Sequence, residues 1–92
     1  MSDNVAVYST STLIHTGRGH LAGLVVSSNA GAPVVTFYDN TAGSGTKIFE
    51  AYIATDNILV IFFPEAFSPR FTTGLYIALG TGMTATVWSR QL

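Results

Sequence analysis

Apolar and polar residues alternate along most of the chain with the two-residue period of β-strands. Segments rich in Val, Ile, Thr, Phe and Tyr, each about five to eight residues long, are separated by clusters of Gly, Pro, Asn and Asp. No window of about a dozen residues keeps an apolar stripe at the period of a helix. The pattern therefore predicts an all-β sandwich or barrel without a substantial helix. We expect about eight short strands, at 5–9, 11–16, 20–27, 34–39, 47–55, 58–63, 70–79 and 83–89.

Alternation within the last two predicted strands separates inward from outward side chains. Leu75 and Ile77 share one side of their strand, and Tyr76 lies on the other. Val87 and Trp88 likewise point to opposite sides of the final strand. Tyr and Trp combine apolar area with a polar group, which is favoured at protein interfaces and in sugar-binding grooves. We therefore expect Tyr76 and Trp88 to be contact residues.

The segment 58–63 is apolar on both sides, unlike its neighbours, and it ends at Pro64. A strand in a two-layer sandwich shows one side to water unless something covers it, and an exposed apolar edge favours aggregation. We expect loops of the same chain or another subunit to cover this strand. Its candidate interface residues, taken together with Tyr76 and Trp88, are Ile58, Leu59, Ile61 and Phe63.

Turn residues predict how two of the strands are connected or bent. Asp56 and Asn57 tolerate positive φ, so the pair predicts a two-residue hairpin between the strands on either side of it. Gly74 lies inside the seventh predicted strand, where a glycine weakens pairing. We expect a bulge or a bend at this glycine.

Composition excludes several classes of partner. Only 10% of the residues are charged, against roughly 25% in an ordinary domain, and the net charge is −1. The chain therefore lacks the positive charge that nucleic-acid binding requires. Its longest apolar run has about six residues, whereas a membrane-spanning helix needs about 20. With 92 residues and no cysteine, we expect one domain, 1–92, without disulfides or thiolate metal sites.

The two histidines are the first candidates for chemistry. Gly17-Arg18-Gly19 separates His15 from His20 and predicts a hairpin that would bring the imidazoles across from each other. A zinc site needs a third ligand, and the carboxylates are scattered along the chain. We therefore expect ordinary polar histidines and no metal site.

Two further motifs fail in detail. The run Gly43-Ser44-Gly45-Thr46-Lys47 has the composition of a phosphate-binding loop. Thr46 stands where that loop needs a glycine before its lysine, and a strand pattern follows instead of a helix. Serine, histidine and aspartate are present, but the chain has no G-x-S-x-G turn. We expect no catalytic residues, no cofactor and no enzyme activity.

Two stretches of the chain together resemble a known group of proteins. Residues 35–48 contain a strand, a YDNT turn and an SGTKI return, and residues 71–79 contain F-x-x-G-L before the closing strand 84–88. The chain resembles small β-rich virion proteins of tailed bacteriophages, of the capsid decoration, cement or head-fibre type. The family's Asp-Asn turn matches Asp39 and Asn40, and its SGT matches residues 44–46, which makes Gly43 and Gly45 further turn residues.

The resemblance implies a compact antiparallel β-sandwich, with a jelly roll among the candidate topologies, and it implies no catalytic residues. It also implies a virion location and a binding function that stabilises the capsid shell. The expected partners are copies of the same chain, with a trimer as the expected oligomer, and the major capsid protein or another virion protein. The first residues lack the regions of a signal peptide, so we expect synthesis in the host cytoplasm.

The alternative keeps the chain in the virion and changes its partner. A tail, fibre or spike module could bind a host glycan, or another virion protein, with Tyr76 and Trp88 stacking on sugar rings. The two interpretations differ in whether the aromatic side chains contact a sugar or a protein.

Overall fold

The computed structural model describes residues 2–29, 34–54, 56–80 and 82–91 of the chain. These residues form nine strands and one 3₁₀ turn, Glu65–Phe67, and they contain no helix that is long and apolar enough to cross a membrane. The all-β prediction is confirmed. The strands are β1 (Ser2–Tyr8), β2 (Thr12–Thr16), β3 (Gly19–Ser28), β4 (Val34–Asp39), β5 (Thr46–Tyr52), β6 (Asn57–Phe62), β7 (Arg70–Phe71), β8 (Gly74–Leu79) and β9 (Met83–Gln91).

The strands form two antiparallel sheets. Sheet A has the order β1-β9-β3-β6, with the short β7 also pairing with β3, and sheet B has the order β2-β8-β4-β5. The pairing is nested along the chain, because β5 pairs with β4, β6 with β3, β8 with β2 and β9 with β1. A long hairpin wrapped into two layers gives this order, so the sandwich has the strand order of a jelly roll.

The core lies between the inner faces of the two sheets, and each long strand contributes alternate residues to it. Leu75 and Ile77 are fully buried, as their alternation predicts, and Val87 faces them from the other sheet. The core also holds a residue from the β5–β6 connection and one from β7. Its members are Leu21, Leu24, Val26, Val35, Phe37, Ile53, Phe71, Leu75, Ile77, Met83, Ala85 and Val87.

The predicted hairpin at Asp56-Asn57 is wrong. β5 lies at the edge of sheet B and β6 at the edge of sheet A, so the chain crosses between the layers here. Asp56 does have the expected positive φ of 63°, and its N–H donates to the carbonyl of Ser28 at 2.7 Å. The local conformation was therefore predictable, but the pairing partner was not. Thr55, the predicted end of the fifth strand, lies outside the described residues.

The predicted strand 70–79 is two strands in different sheets. The chain bends at Thr72 and Thr73, leaving β7 in sheet A and β8 in sheet B. Gly74 is the first residue of β8, directly after this bend, and the register of β8 shows no bulge there. A Cβ atom on Gly74 would lie 2.8 Å from the carbonyl oxygen of His15, so the close approach of another backbone requires glycine at this position.

The carboxylate of Asp39, at the end of β4, binds the bend between β7 and β8. Its Oδ1 accepts the N–H groups of Thr72 at 3.0 Å, Thr73 at 2.8 Å and Gly74 at 3.4 Å. Its Oδ2 accepts the Thr72 hydroxyl at 3.2 Å. Burial raises the pKa of Asp39, but the donors at Thr73, Thr72 and Gly74 together outweigh it and hold this pKa below 3.8. One ionised side chain thus fixes the crossing between the sheets.

The loop between β4 and β5 is closed by its own polar groups. The side-chain amide of Asn40 donates to the carbonyl of Ser44 at 2.8 Å, and its oxygen accepts the N–H of Thr41 at 2.8 Å. Gly45 has a φ of 98°, which favours glycine. Gly43 lies against the ring of Tyr76, which a Cβ atom would approach to 3.1 Å. The loop therefore joins a β-hairpin within sheet B.

Replacing Asp39 tests this junction. Asp39→Ala should lower the free energy of unfolding by about 1–2 kcal/mol, because several donors lose their charged acceptor at a partly exposed site. A depressed carboxyl pKa stabilises the fold above the ordinary value of 3.8, and this contribution is lost as pH falls through the lower folded value. Denaturant unfolding of the wild type and Asp39→Asn between neutral and acid pH measures it. The stability difference should shrink below pH 4, and a constant difference would contradict the assignment.

Candidate functional site

Each of the four long strands of sheet A contributes apolar residues to its outer face. Five large apolar side chains on this face, from β1 and β6, are between 55% and 67% exposed: Val5, Val7, Ile58, Val60 and Phe62. Val25 and Trp88 lie between them and are half-buried. We call these seven residues the apolar face. Such a continuous exposed patch is typical of a contact surface.

Strand register aligns six of the seven residues of the apolar face in two rows that run across the sheet, and the seventh, Ile58, lies beside them opposite Ser27. The first row is Val5, Trp88, Gly23 and Phe62, and the second is Val7, Thr86, Val25 and Val60. Neither row contains a charged residue. From their exposed fractions, the five exposed residues together offer on the order of 500 Å² of largely apolar surface, over half of the roughly 800 Å² that one partner contributes to a stable interface.

Gly23 allows two aromatic rings to meet over the sheet. A Cβ atom at this position would lie 2.4 Å from Cδ1 of Phe62, so any side chain here would displace that ring. Phe62 instead covers the glycine, and its ring centroid lies 5.1 Å from that of Trp88 at an interplanar angle of 59°. The rings come from β6 and β9, on opposite sides of β3, and they close the first row.

The outer face of sheet B is more polar. Lys47 and Glu50 form an ion pair at 3.0 Å, and Glu50 also accepts the hydroxyl of Thr36 at 3.0 Å. Hydrogen bonding to Glu50 raises the pKa of Lys47, and hydrogen bonding to Lys47 lowers the pKa of Glu50. The two outer faces therefore differ in their suitability for a dry contact.

The structure divides the interface residues expected in 58–63 between two sides of β6. Ile58 is exposed on the apolar face, whereas Leu59, Ile61 and Phe63 are half-buried and pack against the core. The exposed companions of Ile58 are Val60 and Phe62. Alternation places these three together, but both sides of the segment are apolar, so the sequence pattern could not select the outward side.

Tyr76 and Trp88, the expected contact residues, lie on different sheets. Trp88 belongs to β9 of sheet A and to the apolar face. Tyr76 belongs to β8 of sheet B, is half-buried, and packs beside Gly43. The two rings therefore cannot contribute to one flat contact surface, and only Trp88 remains with the apolar residues of β6.

A cavity of about 260 Å³ opens beside Trp88 at one end of the apolar face. The register of β3 against β9 shifts between Leu21 and Gly23, so Ala22 is an extra residue at this place. The cavity is lined by Asn4, Val5, Ala22, Trp88, Ser89 and Arg90. Val5 and Trp88 are shared with the apolar face, so the cavity and the face form one continuous surface.

The predicted hairpin between the two histidines is wrong, because His15 lies in sheet B and His20 in sheet A. Nε2 of His15 lies 2.8 Å from Oγ of Ser89, and Nδ1 of His20 lies 3.0 Å from Oγ of Ser68. Phe71 stacks on the His15 ring with a centroid distance of 6.1 Å. Within residues 2–29, 34–54, 56–80 and 82–91, no group of three His, Asp or Glu side chains could hold a metal ion.

Comparisons of the chain with protein-family models, with curated proteins and with solved structures find no match. The surface of this chain, and the apolar face above all, is therefore the basis for assigning a function.

Protonation of His15 should destabilise the fold. Burial lowers the pKa of this imidazole below 6.5, so its stabilising contribution is complete above pH 6.5 and is lost as pH falls through the folded value. Thermal unfolding between pH 8 and 5 should show the wild type losing stability relative to His15→Gln, which keeps a hydrogen-bonding group without a titration. An NMR titration that gives His15 a pKa at or above 6.5 would contradict this expectation.

Proposed function

We propose that the chain is a non-enzymatic structural protein of a bacteriophage virion, a capsid decoration or cement protein that assembles through its apolar face. The apolar face, with five strongly exposed side chains and no charged residue among its members, is the observation that carries the proposal. Its partners are copies of the same chain and the major capsid protein or another virion protein.

The energetics of the apolar face favour such a contact. Removing on the order of 500 Å² of apolar surface from water contributes on the order of 10 kcal/mol before the cost of association. No charged side chain in the two rows has to lose its hydration. The face can therefore bind another dry surface without a matching pattern of charges, as copies of one chain and a capsid shell would provide.

The phage-like motifs support this proposal because their residues stabilise turns of the fold. Asp39 and Asn40 of the YDNT turn hold the bend between β7 and β8 and the β4–β5 loop. Jelly-roll sandwiches occur in viral capsids, and also in lectins and cupins, so the strand order alone does not select a function. The apolar face favours the structural role over the others, because it extends across the four long strands of sheet A.

In this role the chain acts by binding alone. Copies can cover one another's apolar faces, or the seam between coat subunits. Such contacts resist separation, because separation would expose apolar area to water. The expected trimer is one such assembly, in which the interfaces would close into a ring. The virion is the expected location of the assembled protein.

A charge on the apolar face tests the proposal. Val7→Lys places an ammonium group in the second row, and should weaken self-association and attachment to capsids at least about tenfold, or 1.4 kcal/mol. Tyr52→Lys is the matched control, because Tyr52 is 79% exposed on sheet B. Sedimentation velocity and co-sedimentation with capsids assembled without the chain measure both effects. Absence of the chain from purified particles, or normal attachment by Val7→Lys, would exclude the proposal.

The cavity beside Trp88 favours a second candidate, a tail, fibre or spike module that binds host glycan. Its lining combines Trp88 with the polar residues Asn4, Ser89 and Arg90, and sugar sites combine aromatic stacking with polar groups. On a glycan array, Trp88→Ala should then abolish binding, whereas Tyr76→Ala on the opposite sheet should retain it. A wild-type protein that binds no glycan would exclude this candidate and leave the capsid role unaffected.

A further inference from the structure

The strand β6 forms one edge of sheet A. It pairs with β3 on one side, and no strand of the described residues pairs with its other side. The side chains of Ile58, Val60 and Phe62 add to the apolar face, so this edge continues directly into it.

The backbone at this edge carries outward-pointing hydrogen-bonding groups. The N–H of Phe63 donates to the carbonyl of Ala22 at 2.9 Å, toward β3. Backbone groups of an antiparallel strand point alternately toward one neighbour and the other. Those of Ile58, Val60 and Phe62 therefore point away from β3, where another strand could accept and donate.

β6 also lacks the features that prevent edge strands from pairing. Within Asn57–Phe62 there is no charged residue and no proline, and its register with β3 is regular. The other edges differ, because Asp3 lies in β1, the register of β2 shifts between Leu13 and His15, and β5 carries the pair Lys47 and Glu50. Among the edge strands that the structure describes, β6 is thus the one with a long, regular and uncharged edge.

We propose that β6 pairs in antiparallel fashion with β6 of a second copy of the chain, about a two-fold axis that passes between the two Val60 residues. This inference rests on the proposed function and names the first contact of assembly. The pairing is self-complementary, because Ile58 lies opposite the partner copy's Phe62 and Val60 opposite its own equivalent. Asp56 lies opposite Pro64, so no like charges meet.

Pairing at β6 joins two apolar faces into one. The four long strands of sheet A from each copy become a single eight-stranded sheet. The second row then continues through Val60 into the same row of the second copy, and Phe62 of the first row lies opposite Ile58 of the second copy. The dimer then presents about twice the apolar surface of one chain to a capsid. Three such pairs about a three-fold axis would contain six chains, so pairing at β6 predicts a dimer as the repeating unit in place of a closed trimer of single chains.

Backbone and side-chain changes at Val60 separate edge pairing from other modes of association. Val60→Pro removes an outward N–H while leaving the ladder to β3 intact, since proline is tolerated at an edge whose N–H faces outward. Val60→Thr keeps the N–H and the β-branched shape but makes the side chain polar. In sedimentation equilibrium, Val60→Pro should weaken dimerisation at least about tenfold, and Val60→Thr by less than about threefold.

Amide hydrogen exchange of the wild-type protein gives a second, independent measurement. In the dimer, the amides of Val60 and Phe62 should exchange as slowly as those of Leu59 and Ile61, which bond to β3. On dilution to the monomer, the amides of Leu59 and Ile61 should stay slow, whereas the outward amides of β6, those of Val60 and Phe62 among them, should become fast. Fast exchange of these two amides in the dimer would overturn the inference, even if Val60→Pro fails to fold.

The two proposals can fail separately. A monomeric wild type, or a Val60→Pro variant that dimerises normally, would exclude pairing at β6 while capsid attachment still supports the structural role. A β6-paired dimer that is absent from virions would exclude the virion role and leave the pairing established.

Discussion

The whole structure depends on one constraint, which is that each sheet must bury its inner face. The two inner faces meet in a single shared core. Leu24, Phe37, Ile77 and Val87 come from four strands that are distant in the sequence, and all are fully buried between the layers. The nested pairing brings them together, because it places alternate residues of every long strand on the inner side. A small chain that buries its inner faces in this way has no third layer to cover an outer face. The apolar residues of β1 and β6 therefore remain at the surface.

The crossings between the layers depend on polar groups rather than on apolar packing. Asp39 collects donors from the bend that separates β7 from β8, and the pair His15 and Ser89 links a strand of sheet B to a strand of sheet A. Gly74 permits close backbone approach at the same crossing. A wrapped fold requires its chain to change layers at defined residues. These polar contacts specify those residues, while the core supplies most of the free energy of folding.

Much of the fold could be predicted from the period of the pattern, and its connections could not. Alternation correctly predicted the inward positions of Leu75 and Ile77, because a half-buried strand shows its orientation in its own residues. The turn at Asp56 shows the limit of such reasoning: its positive φ was predictable from residue type, yet the chain crosses to the other sheet instead of forming a hairpin. In β6 both sides are apolar, so the sequence alone does not identify the outward side. The strand register does, because Val60 lies opposite Val25, and Val25 lies opposite Thr86, on the outer face of sheet A.

The uncharged rows of the apolar face also determine how a contact made through them responds to its surroundings. Since such a contact contains no ion pairs, added salt has no attraction to screen, and moderate changes in ionic strength leave it intact. Its free energy comes from releasing water from apolar surface, so association has a negative heat-capacity change and weakens on cooling. A shell held together by this chain would therefore be least stable at low temperature, and a moderate rise in salt concentration would not dissociate it.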